Sequence, residues 1–278
     1  MQEVKLEGQL HKGIGALWDK KYFKYVPPLF ITLILTIGQV SFGMLDSYTN
    51  IIVAIGVSIL TEIVLAALVL GTWKNLASAY ITGISVGILI RSNVVWPYVI
   101  CAVLSIMSKY VLVYKGRHLW NPSNFGVSWM LFFAPLSVAG LSIQWGNNLL
   151  AVAVVWILGL LIVNRAKRIH VTLTYVASFI FLAYLRSLIS HDTFLAELSP
   201  LTGPMYQLFI FFMITDPPTS VSTKKGQIMV AILIALVEFV LRLNGFIYAP
   251  FYALCLVGPL CRFIDLKRNP PIKKPATA

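Results

Sequence analysis

The residues best suited to binding chemistry form a polar segment between two apolar runs, MITDPPTS at 213–220. Adjacent prolines end a helix and hold the residues before them in extended geometry. The acid and the hydroxyls beside them can then cap the broken ends or bind a ligand. A simple capped turn at the membrane surface is the alternative interpretation. The predicted binding residues are Thr215, Asp216, Pro217, Thr219 and Ser220.

Two acids, Glu62 and Glu238, lie deep within apolar runs. Acids inside a membrane are functional candidates because burying a charge is costly. Arg242 stands one helical turn after Glu238, which predicts an internal ion pair as its simpler role. Glu62 has no partner within a turn, so both a proton or cation site and a protonated packing role remain open.

The histidines and cysteines indicate no haem, iron–sulfur cluster or disulfide framework. The histidines fall in tails or loops, so no facing pair exists to ligate a haem from both sides. The cysteines fall inside apolar runs without CxxC spacing, which favours a packing role. No Walker loop or nucleophile triad appears, which argues against a self-contained hydrolase. The residues concerned are His11, His118, His170, His191, Cys101, Cys255 and Cys261.

The elements that must position these residues are membrane helices. Hydrophobic residues make up 58% of the chain, charged residues only 12%, and the mean hydropathy is +0.82, which predicts an all-α polytopic membrane protein. We identify ten apolar runs, at 26–44, 50–71, 77–92, 96–114, 126–143, 148–164, 170–187, 204–215, 227–243 and 248–264.

Charge placement supports ten transmembrane helices. With the N-terminus inside, 19 of the 22 basic residues fall in inside segments, and only Arg91, Arg186 and Arg242 fall outside. This is the bias expected of cytoplasmic loops, so both termini are predicted to be cytoplasmic. The net charge of +12 then indicates contact with anionic membrane lipid, not nucleic acid. Segment 1–25 is predicted to be a basic amphipathic helix on the inner leaflet, and 267–278 a basic tail.

Ten helices divide into two five-helix repeats, 26–145 and 146–266, and an odd-numbered half forces the second copy to be inverted. Thr82-Gly83 and Thr202-Gly203 open the short third and eighth runs, and Ala134-Pro135 and Ala249-Pro250 follow arginine-led loops. Non-helical backbone at membrane depth is tolerated where it lines a polar cavity. The breaks are therefore expected to surround a binding site.

Four motifs resemble the RnfD/NqrB family of membrane flavoprotein subunits of ion-translocating electron transport complexes. They are ITGISVGILI followed by WP at 81–97, GRHLWNPSNFGV at 116–127, FFMITDPPTSVSTKKGQI at 211–228, and RLNGF with the closing PLCRFID at 259–265. The resemblance implies a bacterial cytoplasmic membrane protein, an inverted-repeat fold like that of urea transporters, and other membrane or extracytoplasmic redox subunits as partners.

The resemblance also implies a flavin-binding region between the halves. The residues that it adds to the predicted site are Asn121, Pro122, Asn124, Phe125, Gly126, Thr202 and Gly203. Phe125 with Trp120 is expected to supply an aromatic slot for the flavin ring.

The chain departs from the family at the site of covalent flavin attachment. Members that attach FMN covalently use a threonine in a Ser-Gly-Ala-Thr box, which this chain lacks, and the outside loop SIQWGN is too short to hold that segment. The form NPSNFG resembles a stand-alone branch termed UnbU-like. We therefore expect FMN or riboflavin to bind noncovalently, if a cofactor is retained.

Three functions remain open. In the first, the protein is a redox subunit without catalytic activity of its own, and a bound flavin carries the electrons. In the second, it is a channel or carrier for a small polar solute such as a flavin, moved by rocking of the two halves. In the third, it is a scaffold subunit of a larger membrane complex. Retained motifs favour the first function, and the missing attachment segment favours the second.

Overall fold

Helices occupy each of the ten apolar runs in a computed structural model that describes residues 26–42, 47–72, 76–140 and 149–269. We label them α1 Val26–Phe42, α2 Tyr48–Leu70, α3 Ala77–Leu89, α4 Trp96–Val111, α5 Pro122–Phe133, α6 Leu149–Arg165, α7 Ile169–Ser190, α8 Phe194–Leu198, α9 Pro204–Leu208, α10 Lys224–Leu243 and α11 Ala249–Arg268. A 3-10 turn at Ser199–Thr202 precedes α9, and a π-helical turn at Phe209–Met213 continues it.

Four helices in this part of the chain, α2, α7, α10 and α11, are long and apolar enough to cross a membrane. The helices α3, α4, α6 and α9 with its π-helical turn are apolar but shorter. The predicted fold class, a mostly helical membrane protein, is confirmed to this extent. The predicted amphipathic segment 1–25, the outside loop SIQWGN and residues 270–278 of the basic tail lie outside the described residues.

Four short strands among the described residues depart from the all-α prediction. The strand β1 (Ile90–Arg91) pairs antiparallel with β4 (Ala139–Gly140), which ties the end of α3 to the segment that follows α5. The strands β2 (Val113–Tyr114) and β3 (Arg117–His118) form a hairpin between α4 and α5. Its turn residues, Lys115 and Gly116, have φ of 48° and 73°, the positive values that a two-residue hairpin turn requires. Two-residue strands carry too little periodicity to be read from sequence.

Close helix packing depends on small residues. α2 packs on α3 and α4, α4 on α5, and α10 on both α7 and α11. A Cβ at Gly83 would lie 2.5 Å from Ile55 Cα, and one at Gly126 would lie 2.6 Å from Cys101 O. Glycine at such contacts lets membrane helices approach to backbone distance. α5 also packs on α11, so the last helices of the two halves meet.

The dipeptide matches that suggested a repeat do not occupy equivalent places. Thr82-Gly83 lies in the middle of α3, whereas Gly203 is the N-cap of α9. Ala134-Pro135 follows the end of α5, whereas Ala249-Pro250 begins α11. These matches were wrong because an apolar run does not show at which residue its helix begins.

Candidate functional site

A cavity of about 350 Å³ lies where the Asn-Pro motif at the start of α5 meets the MITDPPTS segment. The start of α5 contributes Asn121, Pro122 and Ser123, and the segment after the π-helical turn contributes Thr215, Asp216 and Pro217. The remaining walls are formed by hydroxyl and apolar side chains of α3, α6 and the π-helical turn, namely Ser78, Ile81, Thr82, Ser85, Ile162, Val163, Phe211, Phe212 and Met213, with Ala77 and Ala166. Five of the predicted site residues are thus brought to one cavity although they lie in different halves of the chain.

The break in the helix after Met213 is both capped and exposed to the cavity. Thr215 Oγ1 donates to Phe211 O at 2.7 Å, and Ser220 Oγ donates to Asp216 O at 2.8 Å. The Thr215 hydroxyl therefore caps a carbonyl near the end of the interrupted helix, and the Ser220 hydroxyl reinforces the turn that Ser220 N closes on Asp216 O. π-helical turns occur often at functional sites. The segment is thus a hydroxyl-capped turn that also lines the cavity, and its binding role stays a prediction.

Asp216 is the charged group of the cavity wall. Its Oδ2 accepts a hydrogen bond from Thr219 Oγ1 at 2.9 Å. Burial raises the pKa of Asp216 from 3.8 to about 6, while Thr219, Asn121, Arg168 and Lys109 oppose that rise. The carboxyl can therefore exchange a proton near neutral pH.

Asn121 connects the two halves at this point. Its Oδ1 accepts from Asn124 N at 3.0 Å and so caps α5. Its side chain also hydrogen-bonds to Asp216, which leaves the amide group as the donor. One side chain therefore fixes the start of α5 and orients the acid of the opposite segment.

Asn124 and Gly126 hold helices together and do not line the cavity. Asn124 Nδ2 and Ser128 Oγ both donate to Phe251 O, each at 3.1 Å, and so join α5 to α11. A Cβ at Gly126 would overlap Ser105 Oγ on α4. Their role in the observed structure is packing.

The aromatic slot expected from Phe125 and Trp120 is not at the cavity. Phe125 packs against Trp120 and Trp129, with ring centroids 5.9 Å and 5.7 Å apart. Trp120 Nε1 donates to Cys255 O at 2.9 Å. The aromatic residues of the cavity wall are instead Phe211 and Phe212. Nothing in the uninterrupted apolar run distinguished these two rings from lipid-facing or core residues.

The remaining predicted residues lie away from the cavity. Thr202 and Gly203 precede α9, and the ten-residue helical segment from Pro204 to Met213 separates them from Thr215 by about 15 Å along its axis. Thr219 and Ser220 line a smaller neighbouring cleft that they share with Asn121.

Glu62 has the partner that the sequence did not show. It forms an ion pair with Lys109 of α4, and Tyr110 Oη donates to Glu62 Oε1 at 2.8 Å. The carboxylate side chain is 1% exposed and the lysine 7%, so the pair is buried. No partner stands within a helical turn of Glu62, as the sequence indicated, because its partner comes from another helix 47 positions away.

Glu238 forms the ion pair predicted from spacing. Arg242 Nε donates to Glu238 Oε1 at 2.9 Å, and Tyr175 and Tyr206 also donate to the carboxylate. The carboxylate is thus held by α7, α9 and its own helix α10. This arrangement joins three helices and has no observed opening to the main cavity, whose lining includes none of these residues.

Comparison with known proteins supports the family resemblance in the second half of the chain. The model of the NQR2, RnfD, RnfE family matches residues 140–270, a range that includes the Thr-Asp-Pro motif but not the Asn-Pro motif. The D component of the ion-translocating oxidoreductase complex of Erwinia tasmaniensis is 32% identical over 110 residues, which is 39% of this chain and 30% of the relative. The protein of the same name from Escherichia coli O1:K1 is 29% identical over 136 residues, 49% of this chain and 38% of the relative.

The matched region therefore spans less than two-fifths of the length of either relative. The motifs at 211–228 and 259–265 lie within the residues that match the family model, whereas those at 81–97 and 116–127 lie outside them. Over residues 140–270, the chain is similar to the NQR2, RnfD, RnfE family.

Proposed function

We propose that this protein is an RnfD-like membrane flavoprotein, which binds FMN or riboflavin noncovalently in the cavity between Asn121 and Asp216 and takes part in transmembrane electron transfer. The meeting of the Asn-Pro and Thr-Asp-Pro motifs at one cavity is the observation that carries the proposal. A bound flavin would supply the capacity to accept and pass on electrons.

The cavity walls fit a flavin. Ligand pockets are mostly apolar and aromatic with a few polar groups that set orientation, in volumes of roughly 300 to 1,000 Å³, and this cavity of about 350 Å³ falls within that range. Phe211 and Phe212 offer apolar surface for a planar ring. The wall also includes Ser85 and Ser123, whose hydroxyl groups can hydrogen-bond to the polar edge of a ligand.

Asn121 and Asp216 would orient the ligand and control proton exchange at the wall. The mutual hydrogen bond of these two side chains holds the carboxyl in place. A carboxyl with a pKa near 6 is partly protonated near neutral pH, so it can donate or accept a proton at Oδ1 or Oδ2. Thr219 restrains Oδ2.

We further propose ten transmembrane helices in two inverted five-helix repeats. The contacts of α2 with α4 and of α4 with α5 have counterparts in those of α7 with α10 and of α10 with α11, and 19 of 22 basic residues fall on one side. This topology places both termini in the cytoplasm of a bacterium and the chain in its cytoplasmic membrane. Because the relatives are named as subunits of an oxidoreductase complex, we propose that other membrane subunits are its partners.

The absorption spectrum of the purified protein tests the function. Flavin bands near one per chain, released by denaturation, are expected, and Asn121→Ala and Asp216→Ala should each lower occupancy without unfolding the bundle. Thr202→Ala is the matched control, because Thr202 lies away from the cavity, and should keep the wild-type spectrum. A colourless protein that moves a polar solute into liposomes would indicate a carrier instead. A colourless protein without transport would indicate a scaffold subunit.

A further inference from the structure

Three arginines gather at the end of the bundle that carries the 214–223 segment, outside the wall of the main cavity. Arg117 belongs to β3, Arg168 directly precedes α7, and Arg262 lies in α11. Arg262 interacts electrostatically with both Arg168 and Arg117. We call these three residues the arginine cluster. Like charges brought together from three separate elements repel each other, so their convergence needs a compensating interaction.

The smaller cleft next to the main cavity is lined in part by residues that lie close in sequence to the arginine cluster. Leu119, Val171 and Pro259 line this cleft, and each lies two or three positions from one of the three arginines. Thr219 and Ser220 add hydroxyl groups to the lining. The free space of about 30 Å³ accommodates a small polar group but not an organic ring system. The rest of the lining is largely apolar, with Asn121 and Gln227 as its other polar residues.

Arg262 has a donor that the protein does not satisfy. The residue is 7% exposed, and its Nε is buried without a hydrogen-bond partner among the described residues. One terminal nitrogen donates to Asp265 Oδ2 at 2.9 Å. The same oxygen already accepts from Ser222 N and Ser222 Oγ, at 2.9 Å and 2.7 Å. Buried donors are rarely left unpaired in proteins, so an orphaned N–H indicates a missing acceptor.

The charges around the cluster do not balance. Arg117 and Arg168 form no ion pair within the part of the chain described by the structure, although Asp216 attracts Arg168 through space. Asp265 alone is paired directly with a member of the cluster. The forked guanidinium group matches phosphate oxygens and binds them through parallel hydrogen bonds. A phosphate group would supply both the missing acceptor and the missing negative charge.

We propose that Arg117, Arg168 and Arg262 form a phosphate-binding site at this end of the bundle. The phosphate belongs either to a soluble ligand or to the headgroup of an anionic lipid, since basic pockets between membrane helices bind such headgroups. None of the three arginines lines the proposed flavin cavity, so phosphate binding can be tested in protein that holds no flavin.

Thermal unfolding of the purified full-length protein tests the proposal. In nanodiscs of phosphatidylcholine, inorganic phosphate is titrated against sodium chloride at equal ionic strength. In a second arm, phosphatidylcholine discs are compared with discs containing phosphatidylglycerol. A saturable rise in melting temperature with inorganic phosphate assigns the site to a soluble phosphate. A rise only with phosphatidylglycerol assigns it to lipid.

The variants distinguish a built site from general charge attraction. Arg117→Gln changes an exposed residue, so the bundle should still fold. The apparent affinity for the stabilising phosphate or lipid should fall about tenfold, which is the loss expected for one charge-assisted hydrogen bond. Lys167→Gln removes an exposed charge beside Arg168 and should change the affinity less than about twofold, because a nearby charge without a direct contact contributes little. Stabilisation by neither probe, or equal losses in the two variants, would overturn the proposal.

Discussion

Asp216→Asn should make the stability of this protein less dependent on pH. Burial raises the pKa of Asp216 from 3.8 to about 6. Below pH 3.8 the carboxyl is protonated in both the folded and the unfolded chain and has no effect on the balance. Between pH 3.8 and 6 the folded chain binds more protons, so the free energy of unfolding falls as pH rises. Above pH 6 the full penalty for holding an ionised carboxylate in the cavity wall remains.

The size of the effect follows from that pKa change. One pKa unit corresponds to about 1.4 kcal/mol, so the rise to about 6 corresponds to roughly 3 kcal/mol at most. Asp216 is half-buried and keeps part of its hydration, so we expect about 1 to 3 kcal/mol above pH 6. For a chain of this length that is a rise in melting temperature of roughly 2 to 10 °C in the asparagine variant.

Thermal unfolding between pH 4.5 and 8.5, with the protein in a neutral detergent, measures the effect. The wild type should lose stability through pH 6, and Asp216→Asn should lose less and melt higher at pH 8. Asp192→Asn, which changes an exposed acid, should leave the profile unchanged. Parallel pH profiles for the wild type and Asp216→Asn would refute the view that this carboxyl is held ionised in a poorly hydrated wall.

Three further predictions concern the helix contacts. In a denaturation assay, Lys109→Met should lower the free energy of unfolding by about 3 to 5 kcal/mol, because Glu62 is then buried without a counter-ion. Adding Glu62→Gln should recover part of this loss, and purely additive effects of the two changes would contradict the ion pair. Gly126→Ala should destabilise the bundle by about 1 to 3 kcal/mol, because the added methyl group overlaps α4. Gly56→Ala should be tolerated, because a Cβ there meets no atom within 4 Å, and equal melting temperatures of the two variants would contradict this packing. Tyr206→Phe should lower the melting temperature by the equivalent of about 1 to 3 kcal/mol, since buried charged groups lose a partner; an unchanged melting curve would show that this hydroxyl contributes nothing.

The parts of the fold and site that could be predicted are those with a local signal. Apolar runs located the helices, and the two prolines after Asp216 located the break, because both features act on their own backbone. The four-residue spacing of Glu238 and Arg242 gave an ion pair because both residues lie on one helical face. The motifs around Asn121 and Asp216 indicated residues that the fold brings together at one cavity.

The parts that could not be predicted depend on contacts between distant segments. Lys109 lies 47 positions from Glu62, and no sequence period relates two residues on different helices. Phe211 and Phe212 carry no mark that separates cavity-lining rings from lipid-facing ones. Phe125 stands next to a polar motif, yet it packs against Trp129 one turn further along the same helix and does not line the cavity.

The central claim is that the Asn-Pro and Thr-Asp-Pro motifs face one ligand across a shared cavity. Equilibrium titration of the purified protein, stripped of any bound ligand, with FMN and with riboflavin, followed by quenching of flavin fluorescence, tests it most directly. We predict saturable binding of at least one flavin at one site per chain, weakened by both Asn121→Ala and Asp216→Ala but not by Phe125→Ala. Absence of saturable binding of either flavin, or binding that neither cavity variant alters, would contradict the claim.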